Sequence, residues 1–156
     1  SKLAGEYMAM NTHRWFLFRV SALFGLAGCR TKGGSNFVEQ ILDRASRGGV
    51  VQVVQDKVCT PTFSLDVARY LRHHLSDLQP GLYHLPNSEP CTWYEFAEEI
   101  LKQAGVEARL ESFEDMGTLQ RPANSALASE KIPPLRSWRE ALAEYLTLKR
   151  KRLQEG

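Results

Sequence analysis

The sequence predicts an α/β fold with parallel strands, on three observations. Two short apolar runs, Trp15 to Val20 and Val50 to Val54, have the length of buried strands rather than of helices. The stretches around them carry apolar residues at helical spacing, so that strands and single helices alternate. Glycine and proline clusters, together with two Ser/Thr-x-x-Glu sequences, mark where those elements start and stop.

The elements follow in order. Residues 1–11 read as an amphipathic helix, and Trp15 to Val20 as a strand with aromatic weight. A glycine-bearing loop takes 21–34. Residues 36–46 are helical, with Phe37, Ile41 and Leu42 on one face and Val38 and Ala45 beside it. Gly48-Gly49 stops that helix, and Val50 to Val54 is the second strand. Asp56 to Pro61 is a loop, because a residue before proline avoids the helical region. A helix runs from Ser64, a plausible N-cap, to about Leu75. Pro80-Gly81 precedes a short strand, Leu82 to Leu85. Thr92 and Glu95 form a capping box that opens a helix to about Ala104, with Gly105 as its stop. Ala108 to Phe113 is a strand, and 120–134 is irregular. Ser137 and Glu140 form a second box, opening the last helix. A parallel strand such as Trp15 to Val20 is expected to be covered on both faces.

A length of 156 residues suits one domain with a proper core. The net charge of +2 is too small to imply a nucleic-acid or membrane partner. No apolar stretch is long enough to span a bilayer. The first residues lack the basic-then-apolar pattern of a signal peptide, which says little about the parent protein; a cytoplasmic location is expected from the scattered cysteines. Cys29, Cys59 and Cys91 are odd in number and scattered, without a C-x-x-C. They argue against a disulfide framework or a zinc site and read as free thiols. His13, His73, His74 and His84 show no ligand spacing either.

Several residues could carry chemistry. Gly33-Gly34-Ser35-Asn36 ahead of a helix offers backbone N–H groups to an anion, or simply caps the helix. Thr60 and Thr62 could hydrogen-bond a base or a sugar, or could serve the turn. Pro122 pushes Arg121 into an extended backbone. Its fork suits a diphosphate, and an ordinary surface ion pair is the alternative. Trp93, Trp138 and the phenylalanines sit at core spacing. Lys149-Arg150-Lys151-Arg152 complements a helix C-terminus.

Ser1-Lys2-Leu3-Ala4-Gly5-Glu6 is similar to the tail of the Tyr-x-x-x-Lys helix of short-chain dehydrogenase/reductases. The landmarks after it come in the order found in dTDP-4-dehydrorhamnose reductases. They are Arg19-Val20-Ser21, Asn36-Phe37, Asp56 to Thr62, Gly81 to Leu85, Thr92 to Ala97, Arg121-Pro122 to Leu127, and Trp138 to Leu142. The chain resembles that family over nearly its whole length. It departs from it at Ala22, where the family often has Trp, at Lys57 for Gln, and at Cys59 for Gly.

The resemblance implies that residues 1–156 are the C-terminal portion of a Rossmann-like reductase, including the small substrate-binding domain. The N-terminal nucleotide-binding half is expected to be missing, cut inside the catalytic helix. The parent would reduce the 4-keto group of dTDP-4-dehydro-L-rhamnose with NADPH or NADH, and this part alone would be inactive. Lys2 would be the catalytic helper and cofactor contact; Ser21, Asn36, Thr60, Thr62 and Arg121 would touch the dTDP-sugar substrate. Mg2+ at a dimer contact is also allowed for. Exposed sheet edge suggests a homo-oligomer or a domain-swapped assembly. The alternative is a non-catalytic nucleotide-sugar-binding or regulatory module, resembling the methionine adenosyltransferase β subunit.

Overall fold

Short apolar runs become strands and amphipathic stretches become helices in the computed structural model, which describes residues 2–27, 34–115 and 122–155. Helix α1 (Lys2–Met10) leads into strand β1 (Phe16–Arg19) and the two-residue β2 (Leu23–Phe24). Helix α2 (Phe37–Ser46) is followed by β3 (Val51–Val54), β4 (Val58–Cys59) and β5 (Thr62–Phe63). Helix α3 (Ser64–His74) continues as a 3-10 turn over Leu75–Asp77 and gives way to β6 (Gly81–His84), β7 (Asn87–Ser88) and β8 (Cys91–Thr92). Then come α4 (Trp93–Ala104), β9 (Leu110–Phe113), β10 (Leu135–Ser137) and α5 (Trp138–Glu155). Among the described residues no helix is long and apolar enough to cross a membrane.

The strands pair two by two. β1 lies parallel to β6, from Phe16 opposite Gly81 to Arg19 opposite His84. β3 lies parallel to β9, from Val51 opposite Leu110 to Val54 opposite Phe113. β2 with β5 and β7 with β10 are also parallel. The expectation of parallel pairing fails at one place: β4 and β8 run antiparallel, with Val58 opposite Thr92 and Cys59 opposite Cys91.

The helix ends follow their capping chemistry. The Asn36 side chain accepts from the Glu39 N–H while Glu39 reaches back to the Asn36 N–H, a full capping box for α2. Thr92 and Glu95 do the same for α4, which ends on Gly105 in the left-handed conformation, φ 68°. Ser64 is the first residue of α3 rather than its cap; Phe63 holds the cap position and offers no side-chain acceptor. Ser137 Oγ accepts from the Arg139 N–H, one residue short of the box expected with Glu140, and donates to Glu89.

Two apolar clusters hold these elements. In the larger one, α2, α4 and α5 close over β3 and β5 through Val38, Ile41, Val51, Ile100 and Leu142. At its centre Phe24 stacks on Phe63 at 5.3 Å between ring centroids and meets the edge of Tyr145 at 5.6 Å. The smaller cluster sets α3 against β1 and β6 through Tyr83, Leu85, Val67 and Leu71. Gly25 leaves β2 so close to α3 that a Cβ there would lie 2.1 Å from Ser64 Oγ. A side chain at that position would push the Ser64 hydroxyl aside and crowd the Ser64 Cβ, 3.1 Å away.

Candidate functional site

In open α/β sheets ligands bind beyond the carboxyl ends of the strands. β1 ends at Arg19, and the chain turns there through Val20, Ser21 and Ala22. Ala22 has φ 43°, a left-handed conformation for a residue with a Cβ, and so a point of backbone strain. It follows directly on Ser21, one of the expected substrate contacts.

Ser21, Thr60 and Thr62 come together, and each is buried. Ser21 Oγ donates to the Ser125 carbonyl at 2.9 Å and accepts from the Thr60 N–H at 3.4 Å. Thr60 Oγ1 accepts from the Leu127 N–H at 3.0 Å and lies 3.4 Å from the Leu127 carbonyl. Thr62 Oγ1 donates to the Thr60 carbonyl at 3.1 Å. The three hydroxyls therefore stitch the end of β1, the segment Asp56 to Thr62 and the segment 122–128 into one wall. They fix the loops; the surfaces those loops present are backbone and neighbouring side chains.

Asn36 lies apart from that wall, at the start of α2. Its Nδ2 donates to the Gly25 carbonyl at 2.9 Å and to Tyr145 Oη at 3.2 Å. With Oδ1 taken by the Glu39 N–H at 3.1 Å, the amide is committed internally. Burial pushes the Tyr145 phenol up to about 12. Burial also opposes ionisation of Glu39, but Lys149 Nζ at 2.8 Å and the Asn36 N–H outweigh it and hold the carboxyl below its ordinary range. Lys149, from the basic run read as complementing a helix C-terminus, is thus an anchor between α5 and α2.

Lys2 is exposed, in the first turn of α1. Glu6, four residues on and therefore on the same stripe, takes the Arg19 fork, with Nε at 3.0 Å and Nη2 at 2.6 Å. That hydrogen-bonded arginine lowers the Glu6 carboxyl below its usual range. The pair pins α1 to the last residue of β1. Lys2 stands one turn before Glu6 on the same helix. Arg121, Gly33 and Cys29 lie outside the described residues.

A second polar cluster had no signal in the sequence. Asp66 is buried in the first turn of α3, where Arg136 clamps it with Nε at 2.9 Å and Nη2 at 2.8 Å. Asn87, fully buried, donates to Asp66 at 2.9 Å and to the Arg136 carbonyl at 3.0 Å, and accepts from the Phe63 N–H at 2.8 Å. Glu144 of α5 takes a second fork, from Arg69 at 2.9 and 2.7 Å, and also pairs with Arg136. The hydrogen bonds from Arg69 lead in bringing its carboxyl down to about 2. These residues are distant in sequence, so only the fold assembles them. An open hollow of about 250 Å3 beside them is lined by Arg69, Tyr70, His73, His74 and Arg136, and contains none of the sequence-derived site residues. Its arginines are already neutralised by Asp66 and Glu144, so the cluster ties α3, β7, β10 and α5 together. Among the described residues no group of three or more His, Cys, Asp or Glu side chains could hold a metal ion.

Parallel strand pairs wrapped by helices define an α/β domain. Comparison with known proteins gives the family: the chain belongs to the family described as the RmlD substrate binding domain, whose sequence model matches residues 1–150. It is 37% identical over 152 residues to the spore coat polysaccharide biosynthesis protein SpsK of Bacillus subtilis, covering 93% of this chain and 51% of that protein. It is 32% identical over 149 residues to the dTDP-4-dehydrorhamnose reductase of Aggregatibacter actinomycetemcomitans, covering 85% of this chain and 48% of that one. The structure superimposes on that of the Bacillus anthracis dTDP-4-dehydrorhamnose reductase, solved in complex with NADP. The TM-score is 0.84 and the identity 25%, covering 94% of this chain and 53% of that one. The chain thus spans about half the length of these relatives.

The described residues do not form a dinucleotide site by themselves. The sequence contains no G-x-x-G-x-x-G turn to cradle a pyrophosphate, and Lys2 alone answers to the cofactor contacts the resemblance implies.

Proposed function

We propose that this chain is the C-terminal, sugar-nucleotide-binding part of an NAD(P)H-dependent reductase acting on the 4-keto group of a dTDP-6-deoxy-hexose, with dTDP-4-dehydro-L-rhamnose as the substrate. The single observation that carries the reading is the family match over 150 of 156 residues. Lys2 lies one helical turn from Glu6, whose fork with Arg19 ties α1 to the end of β1, which is consistent with it. From there an ammonium group lowers the pKa of a phenol one helical turn away and offers hydrogen bonds to ribose hydroxyls. The wall built by Ser21, Thr60 and Thr62 would shape the sugar side, and Arg121 would meet the diphosphate. Hydride transfer belongs to the parent, since the present residues do not cradle the cofactor.

Calorimetric titration of TDP into the purified chain tests the binding half of this reading. Saturable heat with micromolar affinity is the expected result. Absence of heat at millimolar TDP would remove Ser21, Thr60, Thr62 and Arg121 from the site. Saturable binding with no turnover once a reductase nucleotide-binding half is supplied in trans would favour the non-catalytic module instead.

A further inference from the structure

Cys59 ends β4 and Cys91 opens β8, and the antiparallel register sets them directly opposite each other. Opposed residues in such a ladder have Cα atoms about 4.5–5.5 Å apart, with side chains on one face. A disulfide closes over Cα separations of roughly 4.4–6.8 Å, so the backbone needs no rearrangement to admit one. Directly opposed residues of one ladder carry their side chains on the same face, so the two thiols are neighbours there. Both cysteines are buried and free. Neither side chain is among the hydroxyl contacts that build the loop wall.

We propose that Cys59 and Cys91 are a disulfide site, oxidised by hydrogen peroxide to a cross-strand link that fastens the segment Asp56 to Thr62 onto the start of α4. One thiol gives up its proton, its thiolate attacks a peroxide oxygen, the O–O bond breaks, and the departing hydroxide takes up that proton, leaving a sulfenic acid and water. The second thiol then attacks the sulfenyl sulfur, the S–O bond breaks, and water leaves as the disulfide forms. Two thiols and one peroxide thus become one disulfide and two waters. A dithiol reductant reverses the step by exchange.

The neighbouring Cys59 thiol, and then burial, raise the Cys91 pKa and keep it protonated, so the first step waits on local opening. That opening is confined: β4 and β8 have two residues each. On its other side β4 is bonded to the segment 123–125, with Val58 N–H to the Ala123 carbonyl and Ser125 N–H to the Val58 carbonyl, both at 2.8 Å. Closing the link therefore immobilises the strand that also carries Thr60 into the loop wall. The proposal does not depend on what that wall binds.

The test is peptide mapping of the whole chain after exposure to hydrogen peroxide, with remaining thiols alkylated in denaturant. The expected result is a Cys59–Cys91-linked peptide pair from monomeric protein, lost on treatment with dithiothreitol. The oxidised protein should also unfold at a temperature higher by on the order of 10 °C. Recovery of Cys59 and Cys91 as separately alkylated or sulfinic residues, or linked to Cys29 or between chains, overturns the proposal. The map reads sulfur connectivity alone, so its outcome is separate from that of the TDP titration.

Discussion

Replacing Asn87 with alanine is expected to weaken the fold more than any exposed polar truncation, because this one amide serves three partners on three elements. Its Oδ1 accepts the Phe63 N–H, at the cap of α3, and its Nδ2 reaches Asp66 and the Arg136 carbonyl. In Asn87→Ala the Phe63 N–H loses its buried acceptor, at a cost of about 1–3 kcal/mol. The two lost donations remove about 0.5–1.5 kcal/mol each, toward the low end at Asp66, which keeps the Arg136 fork. The space left by the amide adds about 1 kcal/mol. These contributions overlap, so the expected total is about 3–5 kcal/mol, a drop of about 10 °C in unfolding temperature for a chain of this size. Urea unfolding followed by tryptophan fluorescence measures it. Asn11→Ala, which removes only an exposed bond to the Tyr7 carbonyl, should stay within about 0.5 kcal/mol of the parent. If Asn87→Ala costs less than about 1 kcal/mol, the polar cluster does not hold α3 in place as argued.

The other expectations concern charge and association. Glu144 titrates at about 2 in the fold against an ordinary value of 4.5. Its contribution is therefore complete above pH 4.5 and drains away as the pH falls toward 2. With Arg69 half-exposed, the loss should be roughly 1–3 kcal/mol, read as a falling urea midpoint that Glu144→Gln flattens; an unchanged slope in that variant would refute it. The chain should also associate with itself. α1 buries no residue and exposes Leu3, Tyr7 and Met8, and β1 has one partner strand among the described residues. Sedimentation velocity should show dimers that Tyr7→Glu with Met8→Lys dissociates, and a monomer at all concentrations would rule the assembly out.

The long elements were legible because each carries its own periodicity and punctuation. α4 is set by Thr92, Glu95 and Gly105, and β1, β3 and β6 by continuous apolar runs. The two-residue strands were not. β2, β4, β5, β7 and β8 are too short to show an alternating pattern, and they form only because a partner strand lies alongside. The antiparallel β4–β8 pair was missed for that reason, and with it the meeting of Cys59 and Cys91. Within the site, the grouping of Ser21 with Thr60 depends on a contact across 39 residues, which no local pattern encodes. Asn36 was ambiguous by nature, since an N-cap and an anion contact use the same chemistry. The Asn-x-x-Glu spacing to Glu39 was the signal that separates the two.

The Arg19–Glu6 fork carries a consequence for how the domain behaves in solution. α1 has no buried side chain to hold it down, so the ion pair is its chief tether to the sheet. Such a tether is sensitive to ionic strength in a way that apolar docking is not. Added salt should loosen this first helix while the aromatic centre around Phe24 and Tyr145 stays intact. Lys2, proposed as the catalytic helper, would then be a residue whose position the surrounding electrolyte governs.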